Sequence, residues 1–128
     1  MSVIAISKNV QISPRKVGMV AGIVRGQSVD NAVIILDHTP RRAAIAIKKT
    51  ILSAKANAIH NHNYLAKGLE IKEINISPGM TLKRYRPAAR GRALPFRKRY
   101  SHIRVVIDGQ VREKKTSEAA KTPAKENK

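Results

Sequence analysis

Between Ile74 and Ile107 the chain carries no Asp or Glu, yet these 34 residues hold nine cations: Lys83, Arg84, Arg86, Arg90, Arg92, Arg97, Lys98, Arg99 and Arg104. Such a stretch cannot collapse on itself, because it has neither the counter-charges to offset its own repulsion nor enough apolar groups for a core. Apolar alternation flanks it on both sides. Leu69 and Ile71 alternate, and Ile74 and Ile76 resume on the other parity, which predicts a strand with a β-bulge near Lys72-Glu73. Downstream, Ile103, Val105 and Ile107 alternate with Arg104 and Val106 up to Asp108-Gly109, a second strand. Residues 77–102 between them are rich in Gly, Pro and Arg. A solvated loop with incidental charge is one reading, but structureless loops beyond about 12–15 residues are uncommon in compact domains. Continuation of both strands gives the other: one long hairpin turning near Ala88–Ala93. Fifteen residues of strand reach roughly 50 Å. A two-stranded ribbon of that length is marginal in water and is expected to order when embedded in a polyanion.

The upstream half reads as one strand and three helices. Ile4, Ile6, Val10 and Ile12 share a parity, which predicts a β-strand. Ser13-Pro14 is a helix-start device, Ser as cap and Pro at the first helical position. The helix carries Val17, Val20, Ala21 and Val24 at three- and four-residue spacing and stops at Gly26. Gly18 and Gly22 cost it about 1 kcal/mol each relative to Ala, so a close approach of another backbone, protein or RNA, is expected there. A second helix starts near Ser28, with Asp30 in its first turn, and runs to about His38. Thr39-Pro40 repeats the cap-plus-proline device and predicts the start of a third helix. Its apolar stripe is Ala44, Ile47, Ile51, Ala54 and Ala58, and its cationic face is Arg41, Arg42, Lys48, Lys49 and Lys55. These elements give an α+β class and a single domain over residues 1–110, with the arm at about 77–102. From Val111 onward Lys, Glu, Ala, Thr and Ser dominate, and residues 111–128 read as a basic disordered tail.

Charge decides the partner. The chain has 26 Lys plus Arg against 8 Asp plus Glu, a formal net charge of +18, where about 2–8 suffices for solubility. Cys is absent, which removes disulfides, thiolate metal sites and cysteine nucleophiles. No apolar run approaches the roughly 20 residues of a membrane helix, and the start has neither a secretion nor an import pattern, so a cytoplasmic home is expected. A membrane-active amphipathic peptide would need a face of large apolar groups, whereas the third helix is lined mainly with Ala and Ile. His60 and His62 flank Asn61 without Cys or acid beside them and read as a helix end, not a ligand set. The eight acids are scattered, and no phosphate loop, dinucleotide fingerprint or Gly-flanked nucleophilic Ser occurs. No catalysis, cofactor, metal site or homo-oligomer is expected.

From Arg84 to Arg99 Arg outnumbers Lys six to one. The guanidinium fork matches phosphate oxygens and stacks on bases, where Lys is a point charge. Tyr85, Phe96 and Tyr100 beside it suit stacking on exposed RNA bases, and Ala88, Ala89, Gly91 and Ala93 permit close backbone approach at the turn. The single Arg90-Gly91-Arg92 core also fits the DNA minor groove, so an architectural DNA-binding protein stands as the alternative.

The order of elements, together with Ser13-Pro14-Arg15-Lys16, Arg42-Ala43-Ala44, Ser53-Ala54-Lys55-Ala56-Asn57-Ala58, Lys83-Arg84, Pro87, Arg90-Gly91-Arg92-Ala93 and Ser101-His102-Ile103, resembles the bacterial family of large-subunit ribosomal protein twenty-two over roughly residues 3–108. The resemblance implies three helices packed on a three-stranded antiparallel sheet, with two strands extended into a protruding hairpin. It implies a body near the exit of the peptide tunnel and a hairpin running through large-subunit ribosomal RNA to the tunnel wall. Neighbouring ribosomal proteins are implied partners, with the nascent peptide at the wall. RNA contacts then fall to Arg15, Lys16, Arg25, Arg41, Arg42, Lys48, Lys49, Lys83, Arg84, Arg86, Arg97, Lys98, Arg99 and His102. Ala89, Arg90, Gly91, Arg92 and Ala93 form the tunnel tip. Leu82, Lys83 and Arg84 occupy positions where family members influence how macrolides fit the tunnel. Leu82 stands where the pattern has Met, and Tyr85, Leu94 and Pro95 also depart from it.

Overall fold

The computed structural model of the chain describes residues 2–111. Element order is β1 (Val3–Val10), α1 (Pro14–Val24), α2 (Val29–His38), α3 (Arg42–His62), β2 (Glu70–Pro87), a 3-10 turn (Ala89–Gly91) and β3 (Ala93–Asp108). The three strands form one antiparallel sheet in the order β1-β3-β2. The reading of residues 111–128 as a disordered tail lies outside the described residues, apart from Val111, which bridges to Tyr64.

Local signals set most boundaries. Ser13 caps α1 with Pro14 at the first position, and its carbonyl accepts from Lys16 and Val17 N–H. Gly26, at φ +75°, ends it in a conformation that costs glycine little. Ser28 Oγ accepts from the Asn31 N–H to cap α2. The α1–α2 link is stitched to the start of β2: Gly26 N–H donates to the Ile71 carbonyl, Ile71 N–H to Gln27, and Val29 N–H to Leu69. The third start signal is corrected. Thr39 ends α2, with its hydroxyl donating to the Ile35 carbonyl at 2.7 Å, and α3 begins at Arg42 with Arg41 at the cap. Thr39 serves the preceding helix because its hydroxyl reaches a free last-turn carbonyl, a group that needs a partner as much as an N-terminal N–H does.

The helices cover one sheet face. Val17, Val20, Ala21 and Val24 of α1 meet Ala44, Ile47, Ile51, Ala54 and Ala58 of α3 and Ile103, Val105 and Ile107 of β3 in a single core. The alanines let α3 lie close to the sheet. In β1 the parity is the reverse of the one its isoleucines suggest: Val3 (2% exposed) and Ala5 (6%) face the core, while Ile4 (42%) and Ile6 (55%) lie on the outer face. Register explains this, because Ile4 pairs with Val106 and Ile6 with Arg104, the outward positions of β3. Gly18 and Gly22 meet no protein atom where a Cβ would stand, so no protein backbone within the described residues accounts for them.

Two bulges interrupt β2. One lies between Ile71 and Glu73, where the parity slips, and the other between Pro78 and Thr81. β1 has its own irregularity between Ser7 and Val10, where Asn9 adopts φ +57°. The Pro78–Thr81 and Ser7–Val10 irregularities meet at one level, because Ser101 of β3 pairs with both Val10 and Pro78. The Asn9 N–H donates to His102 Nδ1 at 3.1 Å, and a Cβ on Gly79 would come within 3.3 Å of the same ring. A glycine therefore makes room for the histidine that holds the bulged strand. Beyond this joint β2 and β3 continue alone. Seven register pairs, Thr81↔Arg99 to Pro87↔Ala93, make the arm. Pro78–Pro87 spans about 33 Å at roughly 3.3 Å per residue, so the free reach is shorter than the strands themselves.

Two substitutions test these assignments. Val3→Thr should cost about 1–3 kcal/mol in urea unfolding by burying a hydroxyl, while Ile6→Thr stays within about 0.5 kcal/mol; the reverse order would refute the parity. His102→Ala should abolish hydrogen-exchange protection of the Asn9 amide, and His102→Asn, which keeps an acceptor at nearly the same place, should restore most of it. Protection unchanged in His102→Ala would remove the histidine from the joint.

Candidate nucleic-acid interface

Chemical character changes along one side of β3. From the far end of the body, Ile107, Val105, Ile103 and Ser101 are buried under the helices. The next two residues of the same parity are Arg99 and Arg97, both exposed. The strand thus leaves the protein core and enters surroundings for which cations are the fitting side chains. From Ser77 to Tyr100 no residue is buried, and this span holds eight cations and no acid.

Alternation gives the arm two faces. Register places Lys83 opposite Arg97 and Tyr85 opposite Pro95 on one, with Arg99 next along; on the other, Leu82 faces Lys98, Arg84 faces Phe96 and Arg86 faces Leu94. The Arg86 guanidinium carbon lies over the Phe96 ring, 4.9 Å from its centroid, within cation–π range. Tyr85 projects outward, 67% exposed. The Lys83–Arg97 pair sets like charges across the ladder, which is destabilising by itself. At the tip Ala88 N–H donates to the Arg92 carbonyl at 2.8 Å, closing a loop in which Arg90 (φ +59°) and Gly91 (φ +69°) are both left-handed. The sequence-predicted tip residues Ala89–Ala93 occupy this end of the arm, all exposed.

Where the arm meets the body, three chain segments form a groove of about 650 Å³. Lys16 comes from the first turn of α1, Arg41 and Arg42 from the entry to α3, and Arg97 and Arg99 from β3; Ile12 and Met19 add apolar surface. Among the described residues the ion pairs are Lys48–Asp37, Lys55–Asp30 at 2.6 Å and Lys72–Asp108 at 3.6 Å, so none of these five cations has an acidic partner there. A neighbouring groove is lined by Arg41, Arg42, Lys48 and Lys49 around Pro40, Ile45 and Leu52, with Asp37, the partner of Lys48, as its one acid.

The remaining candidates lie apart. Arg15 is exposed on α1. Arg25 caps the end of that helix and donates through Nη2 to the Ile74 carbonyl at 2.9 Å, which ties α1 to β2. Lys48 is paired with Asp37, and His102 is engaged at the joint. Arg84, Arg86 and Lys98 occupy the arm face opposite Arg97. Arg104 belongs on the outer sheet face with Ile4, Ile6 and Val106; the alternation of Arg104 and Val106 against Ile103, Val105 and Ile107 already marked it as outward. The acids of the described residues, Asp30, Asp37, Glu70, Glu73 and Asp108, sit on α2 or at the body end of β2 and β3. The sheet is therefore electrically polarised from a mixed-charge end to a cationic one.

Comparison with known proteins matches residues 5–108 to the family described as ribosomal protein L22p/L17e. The large ribosomal subunit protein uL22 of Oceanobacillus iheyensis is 48% identical over 103 residues, 80% of this chain and 91% of that protein. Its namesake from Clostridioides difficile is 50% identical over 103 residues, 80% of this chain and 93% of that protein. The match runs from β1 through the whole arm to the end of β3, and the chain belongs to the L22p/L17e family of ribosomal proteins.

Proposed function

We propose that the chain binds large-subunit ribosomal RNA, using body and arm together to hold several RNA segments in fixed relation during assembly, with the tip Ala89–Ala93 at the wall of the peptide exit tunnel. As a member of this family it is a structural, non-enzymatic constituent of the large ribosomal subunit, found with the ribosome in the cytoplasm. The observation that carries the RNA reading is the arm: seven strand pairs and the tip that joins them, together holding eight cations, no acid and no buried residue. Backbone hydrogen bonds define its shape, but among the described residues no acid pairs with its cations. Phosphates of folded RNA would, and the guanidinium groups and Tyr85 suit backbone and base contacts respectively. Arg15, Lys16, Arg41, Arg42, Lys49, Lys83, Arg84, Arg86, Arg97, Lys98 and Arg99 are the proposed contacts. Arg25, Lys48 and His102 would contribute while keeping their partners in the body. The tip is small and acid-free, which suits a surface where neighbouring ribosomal proteins, RNA and a passing nascent peptide come close.

Two measurements test this. If about ten phosphates are neutralised, log affinity for large-subunit ribosomal RNA should fall against log salt with a slope near −7 to −9, and duplex DNA should compete poorly. A nearly flat response, or equal competition by DNA, would count against the reading. Removal of Lys83–Arg99 should leave a body that unfolds cooperatively by circular dichroism but has lost most RNA affinity; an unfolded remnant would contradict the division between body and arm.

A further inference from the structure

Resting on the RNA-binding reading above, we propose that the groove at the root of the arm seats one RNA strand that bridges body and arm, its phosphates gripped by Lys16, Arg41 and Arg42 on one wall and by Arg97 and Arg99 on the other. Residues more than 80 positions apart in the chain converge there, and no acid of the described residues lines or pairs with them. Like charges gathered this closely repel unless an anion sits between them. At about 650 Å³ the groove is far larger than a lone phosphate ion, and Ile12 and Met19 line it beside the cations, which suits sugar and base edges attached to the phosphates.

Arg97 and Arg99 lie on the same strand face about 6.6 Å apart, two residues at roughly 3.3 Å each, a spacing that lets successive phosphates of one strand each meet a guanidinium. Lys83, opposite Arg97 and at the same level, widens that cationic face sideways onto β2. An acidic peptide is the other polyanion the charge could take, but the continuity of the groove with the acid-free arm favours RNA. The bridging strand would act as a clamp. The Ser101 joint sets the direction in which the arm leaves the sheet, and the strand holds the arm there by contacting both sides.

The test uses the full chain and protein-free large-subunit ribosomal RNA, with affinity measured by filter retention over a range of salt. Arg42→Gln and Arg99→Gln should each weaken binding about ten-fold, the effect of losing one charge-assisted contact, and each should reduce the salt slope by about 1. The double variant should lose clearly less than the product of the two single losses, because either substitution unseats the same strand. Lys67→Gln, an exposed cation outside the groove, should change affinity less than two-fold. Losses that multiply would mean two independent contacts and would overturn the clamp. So would an Arg42→Gln variant with wild-type affinity, a Lys67→Gln variant as weak as the groove variants, or a groove effect that appears only when other ribosomal proteins are added, which would indicate a protein occupant. Failure of the unaltered chain to bind the RNA would instead remove the reading on which the clamp rests. All three are exposed positions, and unchanged circular dichroism and thermal midpoints would exclude misfolding; should Arg42→Gln disturb the start of α3, Arg41→Gln carries the same expectation.

Discussion

β3 is the constraint on which the molecule depends. As the central strand it pairs with both β1 and β2, so its residues fix the register of everything else. Its inward side is apolar for as long as helices cover it and becomes cationic where they end. Burial of Ile103, Val105 and Ile107 stabilises the body by roughly 1.5–3 kcal/mol for each side chain removed from water. No comparable term exists beyond Ser101. The body is thus folded by hydrophobic burial, while the arm inherits its pairing from strands already aligned by that burial. Such inheritance explains how a two-stranded ribbon with Lys83 facing Arg97 can keep its register: the far end is anchored in a core, and closing the Ala88–Arg92 loop adds only a short-range cost.

The joint at Ser101 converts this inheritance into geometry. A bulge increases local twist and bends its strand. With one irregularity on each neighbour of β3 at the same level, the arm leaves along a direction set by the pair of them. His102 and Gly79 belong to this device as much as to any RNA surface, and Arg25 similarly ties α1 to the edge of β2. Histidine and arginine in a basic protein need not all be ligand-facing. Some hold the scaffold that aims the others.

Sequence made much of this legible, and its failures have physical causes. Period and caps located α1 and α2, and the parity slip around Lys72-Glu73 located a bulge, because these are local signals. β1 was harder. Alternation says which residues share a face but not which face meets the helices, and only pairing with β3 assigns Ile4 and Ile6 to the outside. Thr39-Pro40 misled because a threonine can serve the helix behind it as well as the one ahead. The second bulge at Pro78–Thr81 has no apolar pattern to slip, since its surroundings are Gly, Met and Pro, and so left no trace in the alternation.

The groove was the least legible feature of all, for a reason that bears on how the surface works. Lys16, Arg41, Arg42, Arg97 and Arg99 were each recognisable as basic residues, but a linear charge count treats them as members of a diffuse cationic surface. Folding concentrates them. The first turn of α1, the entry to α3 and the first exposed residues of the arm are brought to one place by the same core, and no acid of the described residues lines the groove they form. A diffuse surface would attract RNA without orienting it, since phosphate contacts alone carry no sequence information. Cations drawn from three rigid elements impose a direction on whatever strand lies among them. In a chain with so few aromatic groups and a largely featureless tip, orientation of the RNA must come from the shape in which the fold holds its charge.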